Sequence, residues 1–364
     1  MPIRLTHPAA VAGLVLALTL AATAPPAARA DTSAAARRVA DLRASLTDVR
    51  TIEARGLQPL AADLQAIAAL ADRTAISAWL GAEMRLARPD ADAEAPGDAL
   101  PALAFVPDPD GGIALLPELH PGGPALWVEE LLREGAVSAG VLHRWHATHI
   151  LELTGLDAPA ARADRVLALE IALARSLARA LADDASPPES PASVVWTRAE
   201  LEARAPGMDW SAFLTAAGLA DSPRIAVRRP QALAALSARV ADQPPAVWRD
   251  WLTFHHLRRH EPVLPLAFRQ AFAQAEEGLL SSVLASPPPR REVADRAVAA
   301  LLPADLDRLE RDGRDPDRLR PRLPVTAPVI RLDEAYANIR RADTHALTCT
   351  HLRARSGLPR GRAC

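Results

Sequence analysis

Apolar residues in this chain return every three to four positions over long stretches. Leu60, Leu64, Ile67 and Ala71 fall at i, i+4, i+7 and i+11. Val166, Leu169, Leu173 and Leu177 hold one face while Arg165, Arg175 and Arg179 fall elsewhere. That period belongs to the amphipathic α-helix, because only a helix brings such positions onto one side. Composition agrees. The chain is 49% apolar, much of it alanine, with only 7 Trp, 5 Phe and 1 Tyr. Alanine is the best helix former and adds little to a sheet. The predicted fold class is therefore mainly α: a multi-helix domain followed by a loosely folded C-terminal tail.

Start and stop signals sharpen the pattern. Asp157 and Pro159 read as an N-cap and an early helical proline. Thr197-Arg-Ala-Glu200 is a capping box ahead of Leu201, and Pro206-Gly207 stops that short helix. Leu233, Leu236 and Val240 mark another helix, and Trp248 to Arg259 a further one. Ile225 and Val227 alternate with Ala226 and Arg228, the mark of a short strand. Residues 86–124, rich in Pro, Gly and Asp, and residues 185–193 (ASPPESPAS) read as loops.

The first thirty residues read as an export signal. Arg4 supplies a thin positive region, Val11 to Ala22 an apolar run, and Pro25 and Pro26 break it before the small-x-small sequence Ala28-Arg29-Ala30. The run is too short to span a bilayer, which takes about 20 residues. A mature protein beginning near Asp31 is expected in the periplasm or outside the cell, with no membrane span once the signal is cleaved. The domains predicted are a signal peptide over 1–30, a helical domain over 31–285 and a Pro/Arg-rich linker and degenerate tail over 286–364. From Pro287 onward sixteen Arg stand against eleven Asp and Glu, with frequent prolines and few apolar faces. The two cysteines, Cys349 and Cys364, both lie in that tail. An oxidising compartment allows them to pair or leaves them as free thiols, and the sequence does not choose.

Several chemistries are excluded early. All 42 basic residues are arginine, so neither a lysine Schiff base nor a P-loop lysine exists. A net charge of −2 argues against a dedicated nucleic-acid binder. There is no G-x-S-x-G elbow, Walker loop or G-x-G-x-x-G. Gly111-Gly112 and Gly122-Gly123 are turn glycines. The pairs Glu129-Glu130 and Glu276-Glu277 read as solvated helix charge and locate no glycosidase pair.

Histidines are the remaining candidates. His143, His146 and His149 spread over about 120° of a helix at 100° per residue and do not converge on one ion. They are expected on the helix surface beside Trp145. His256 and His260 form an i, i+4 pair of the kind metal sites use, but Arg258 and Arg259 between them disfavour a further cation. His260-Glu261-Pro262-Val263-Leu264 begins like the zinc-protease motif H-E-x-x-H. It carries leucine in place of the second ligand, and Pro262 would disturb the helix. Glu94 to Asp98 spells E-x-x-x-D, but Pro96 and Gly97 make it a turn. No catalytic, cofactor-binding or metal-binding residue is assigned, and no cofactor is predicted for this chain.

A family resemblance adds to these readings. Arg43-Ala-Ser-Leu-Thr-Asp48-Val-Arg-Thr-Ile52-Glu-Ala-Arg-Gly56-Leu-Gln-Pro59-Leu60 resembles an early helix and turn of neprilysin-like zinc metallopeptidases, in which S-x-x-D precedes I-E-x-x-G-x-x-P-L. Residues 145–156 (WHATHILELTGL) and 166–173 (VLALEIAL) resemble helices that follow there. Trp196-Thr-Arg-Ala-Glu200-Leu with Ala205-Pro-Gly-Met-Asp209-Trp210 is similar to M-T-x-x-E-L…A-P-G-F-D-W. The strongest match is Trp248-Arg-Asp-Trp-Leu-Thr-Phe-His255-His-Leu-Arg, continuing through Pro262-Val-Leu-Pro265-Leu-Ala-Phe268. The matches run in order over residues 43–268, and Tyr336 to Ala342 faintly resembles a later segment.

In that family these segments form the mainly helical part that closes over a thermolysin-like zinc domain and limits its cavity to short peptides. The family's zinc ligands and general base lie later, in H-E-x-x-H and E-x-x-x-D, and neither is usable here. The family's opening asparagine-and-tryptophan segment is missing as well. The resemblance implies a secreted, catalytically silent relative that keeps the lid and binds short peptides or a partner chain. Two alternatives stand beside it. One is a working peptidase whose zinc half is a separate or frameshifted chain. The other is a helical envelope module unrelated to proteolysis, binding metal through His256 and His260.

Overall fold

The computed structural model describes residues 26–86, 102–108, 115–121, 137–182, 193–276 and 286–313. The described residues divide into two compact units, one within 46–301 and the other formed by 26–45 with 302–313.

The larger unit is helical, as the apolar spacing predicts. Its described helices are α2 (Val49–Arg55), α3 (Ala61–Ala68), α4 (Arg73–Leu86), α5 (Val137–Glu152), α6 (Pro159–Ala182), α7 (Arg198–Arg204), α8 (Trp210–Ala216), α9 (Pro230–Asp242), α10 (Pro245–Arg259), α11 (Leu266–Glu276) and α12 (Arg290–Leu301). Val166, Leu169 and Leu173 of α6 are buried, as are Leu233, Leu236 and Val240 of α9. Burial of such side chains removes about 1.5–3 kcal/mol of unfavourable hydration each. Helix α6 packs against α5, α9 and α10, while α4 packs against α8. Trp210, Trp248, Phe213, Leu60 and Ile67 are fully buried in the shared core.

Local signals behave as expected at α7. The Thr197 side chain accepts from the Glu200 amide while the Glu200 carboxylate accepts from the Thr197 amide, so both halves of the capping box are made. The start of α6 differs. Its first residue is Pro159, preceded by Ala158 at φ 47°, and Asp157 accepts from Arg162 Nη2 at 2.6 Å instead of capping the helix.

Four strands form one sheet in the order β1-β2-β4-β3: β1 (Ala102–Pro107), β2 (Leu115–His120), β3 (Ser193–Thr197) and β4 (Arg224–Arg228). β1 and β2 are antiparallel, β3 and β4 are antiparallel, and β2 runs parallel to β4 through Glu118↔Ala226 and Leu119↔Val227. The strand read at 225–227 is thus present. Reading all of 86–124 as loop is corrected, since β1 and β2 lie inside it. Pro, Gly and Asp dominate that window, and the partner that holds β2 in place is more than a hundred residues away. Buried Glu118 fastens this end of the sheet through Arg228 (2.8 Å) and the Ser193 hydroxyl.

Beyond residue 285 the chain continues into a further packed helix. α12 buries Val293, Ala294, Ala297 and Val298, a stripe at i, i+1, i+4 and i+5 hidden among arginines. Arg290 Nη2 donates to Leu264 O at 2.7 Å, and Arg269 Nη2 to Pro288 O at 2.6 Å, fastening residues 288–290 to the helical body. Residues 314–364, with Cys349, Cys364 and the segment Tyr336 to Ala342, lie outside the described residues.

In the smaller unit α1 (Pro26–Thr47, through Ser45) carries buried Ala35, Val39, Ala40 and Leu42, and α13 (Pro303–Arg311) carries buried Leu309. Arg38 meets Asp305 in a two-pronged ion pair, Nε to Oδ2 at 2.7 Å and Nη2 to Oδ1 at 2.6 Å. Helix α1 begins upstream of the expected cleavage site, so Ala28-Arg29-Ala30 is helical. No helix among the described residues is long and apolar enough to cross a membrane.

Candidate functional site

Helix α10 organises the polar interior. It packs against α6, α3, α4 and α5, so it is covered on nearly every side, and Asp250 through Leu257 are all buried. A covered helix that keeps polar residues must supply each with a partner, because an unpaired buried polar group costs about 1–3 kcal/mol.

The first partnership joins three helices. Buried Glu170 of α6 lies between His143 of α5, at 2.6 Å from Nε2 to Oε2, and His255 of α10, at 2.8 Å from Nε2 to Oε1. Complete burial would raise the Glu170 carboxyl, but the charges and hydrogen bonds of His143 and His255 outweigh it and hold it well below the ordinary carboxylate range. Phe254 meets the His143 ring edge-on, and Trp251 lies against His255 with centroids 4.0 Å apart. The arrangement ties α5, α6 and α10 together through one carboxylate.

The expected surface placement is corrected for His143 and His146, whereas His149 is half-exposed and stacks on Trp145 as expected. His143 is 4% exposed and His146 1%, whereas Trp145 is 55% exposed. Positions 143, 146, 147 and 150 form the buried stripe of α5, and imidazoles occupy two of the four. Their tolerance rests on α6, which delivers Glu170 to one of them. Among the described residues no carboxylate pairs with His146: burial, then the charges of His143 and His149, push its pKa down to about 4. Sequence reasoning missed Glu170. Its signal was a carboxylate inside the apolar stripe 166, 169, 170, 173 of α6.

His256 and His260 do come together, with ring centroids 4.2 Å apart. Helix α10 ends at Arg259, His260 caps it, and its Nδ1 lies 2.8 Å from His256 O. His256 lies 3.4 Å from an Asp63 oxygen and 3.7 Å from a Glu83 oxygen, and Glu83 pairs with Arg259. Residues 261–263 form a 3-10 turn in place of the helix that H-E-x-x-H requires, and Glu261 accepts from Arg269 Nε at 2.8 Å. Among the described residues, no group of three or more His, Cys, Asp or Glu side chains is arranged to hold a metal. The donor set does not fit a catalytic zinc. Glu94 to Asp98, the glycine pairs 111–112 and 122–123, and Glu129-Glu130 lie outside the described residues, as does Glu277.

The second partnership lies at the wall of a cavity of about 430 Å³. Asp250, 2% exposed, receives Arg162 Nη1 at 2.6 Å and Arg165 Nε at 2.5 Å. Arg249, one residue earlier, donates from Nη1 to Leu70 O at 2.9 Å. Leu57, Leu64 and Leu156 line the same cavity.

The chain belongs to peptidase family M13: residues 15–310 match the family in its N-terminal region. Among solved structures, the Mycobacterium tuberculosis zinc metalloprotease Zmp1 shares the fold. In its open state, seen by cryo-electron microscopy, it matches with TM-score 0.63 and 20% identity, over 78% of this chain and 45% of that one. Its crystal structure in complex with an inhibitor gives TM-score 0.62 and 21% identity, over 78% and 43%. This chain therefore spans less than half the length of those solved chains. No curated protein matches it. The neprilysin-like resemblance of residues 43–268 and the mainly α fold class are both supported by these matches.

Proposed function

We propose that this chain is an exported, non-catalytic member of family M13 that retains the family's helical cover. The observation that carries this reading is the match to the family's N-terminal region over residues 15–310. The half-motif at His260 supports it further, because its glutamate is engaged by Arg269 and its backbone turns away. Hydrolysis of a peptide bond by this route needs a bound metal to activate water and an open coordination position. Among the described residues neither a ligand pair nor a general base is assembled, which supports a role in binding. Short peptides or a partner chain are the occupants proposed, and the leader-like residues 1–30 support action in the periplasm or outside the cell.

The test is direct. The purified full chain, supplied with zinc, is assayed against quenched fluorescent short peptides with and without a chelator, and its metal content is measured. No hydrolysis and no stoichiometric zinc are expected. Chelator-sensitive activity that co-purifies with the chain would overturn the proposal. A second reading, in which another polypeptide supplies the zinc half, is favoured by the length shared with Zmp1. It predicts activity only when a chain carrying H-E-x-x-H is added.

A further inference from the structure

We propose that the cavity between α3, α6 and α10 binds a small carboxylate carrying an apolar chain. Its cationic side is built from α6 and α10. Buried Asp250 anchors both Arg162 and Arg165, which fixes one edge of each guanidinium group. Arg162 is used up, because Nε and Nη2 both reach Asp157. Arg165 is not. Only its Nε is engaged in a hydrogen bond among the described residues, which leaves the Nη1/Nη2 fork unclaimed. Among the described residues Arg249 spends only Nη1, on Leu70 O, and keeps Nε and Nη2.

The neighbouring carboxylates do not fill those vacancies. Asp157 is held by Arg162, and Asp164 by Arg144. Three arginines and a single aspartate line the cavity. A guanidinium fork matches the two oxygens of a carboxylate, and such charge-assisted bonds are the strong ones. Leu57, Leu64 and Leu156 line the same cavity, and they offer nothing to a fully hydrated anion. The volume suits a small molecule, since ligand pockets occupy about 300–1,000 Å³. A charged end and an apolar body are therefore both specified.

Two sources carry that chemistry: a free medium-chain fatty acid and the apolar C-terminal residue of a peptide. Isothermal titration of the full chain distinguishes them, using octanoate, N-acetyl-leucyl-leucine, the amide of that peptide, octanol and inorganic phosphate. Octanoate or the acid peptide is expected to bind, and whichever binds names the source. The amide, octanol and phosphate should each bind at least about tenfold more weakly. Arg165→Gln and Arg249→Gln should each weaken the carboxylate about tenfold or more, with Arg249→Gln still unfolding cooperatively and its melting temperature lowered by no more than the loss of one hydrogen bond allows. Should Arg165→Gln fail to fold, Arg249→Gln decides, because among the described residues that side chain makes a single hydrogen bond. Equal binding of acid and amide, phosphate binding as tight as octanoate, undiminished binding in Arg249→Gln, or no binding of either carboxylate would each overturn the proposal.

Discussion

Gly81 lies in the middle of α4, where helix propensity alone favours alanine by about 1 kcal/mol. The tertiary structure reverses that preference. A Cβ at this position would stand 2.2 Å from Phe213 O, 2.9 Å from Phe213 C and 3.1 Å from its Cα. The obstacle is the backbone of α8, not the tip of a flexible side chain, and the overlap is more than about 1 Å inside ordinary contact. To admit the methyl group α4 and α8 must separate, and Ile76, Leu80 and Met84 on one helix then lose contact with Trp210, Phe213 and Leu214 on the other. A gap of that size forfeits a quarter to a half of each dispersion contact. Overpacking against a backbone belongs at the upper end of its usual cost, about 3 kcal/mol. Less the propensity gain, Gly81→Ala should destabilise the chain by about 2 kcal/mol, lowering the urea midpoint by about 1 M. Circular dichroism and Trp fluorescence followed through the same urea titration measure it. Gly155→Ala is the control: at φ 73° with nothing within 4 Å, it costs only the backbone term of about 1–2 kcal/mol. An unchanged or raised midpoint for Gly81→Ala would refute the close approach of the two helices.

Acid should weaken the fold through His146. Its folded pKa of about 4 lies below the ordinary 6.5, so the unfolded chain takes up the proton first. The stability is complete above about pH 6.5 and is lost as pH falls toward 4, by up to about 3 kcal/mol. Urea midpoints across that range should slope downward, and His146→Leu should flatten the slope; an equal slope in the variant would place the acid sensitivity elsewhere. Burial lowers the His120 pKa too, which adds a contribution of the same sign. Glu170 contributes only at lower pH, because its carboxyl is held below the usual range. Thr197→Ala removes one half of the α7 capping box and should cost about 1 kcal/mol in thermal or urea unfolding, whereas an unaltered midpoint would show that the cap carries no stability.

The resemblance rested on segments whose residues prove structural. Trp196, Trp210, Trp248 and Phe268 are all buried, which is why their order along the chain carried family information. The polar interior was far less legible. Glu170 and His143 lie 27 residues apart on separate helices, and Glu170 and His255 lie 85 apart, so no spacing rule connects them. Asp250 sits in the strongest family match, yet its role depends on Arg162 and Arg165, brought over by the packing of α6 on α10.

Local order was written in the chain itself. Helix period, capping residues and the short strand at 225–227 each depend on neighbours within a few positions, and backbone hydrogen bonding and side-chain entropy act at that range. Which face of α5 would be buried, whether residues 102–120 would join a sheet, and whether α12 would find a surface to cover depended on elements distant along the sequence. A buried imidazole or carboxylate is tolerable only where another helix delivers its counterpart, and that delivery is a property of packing.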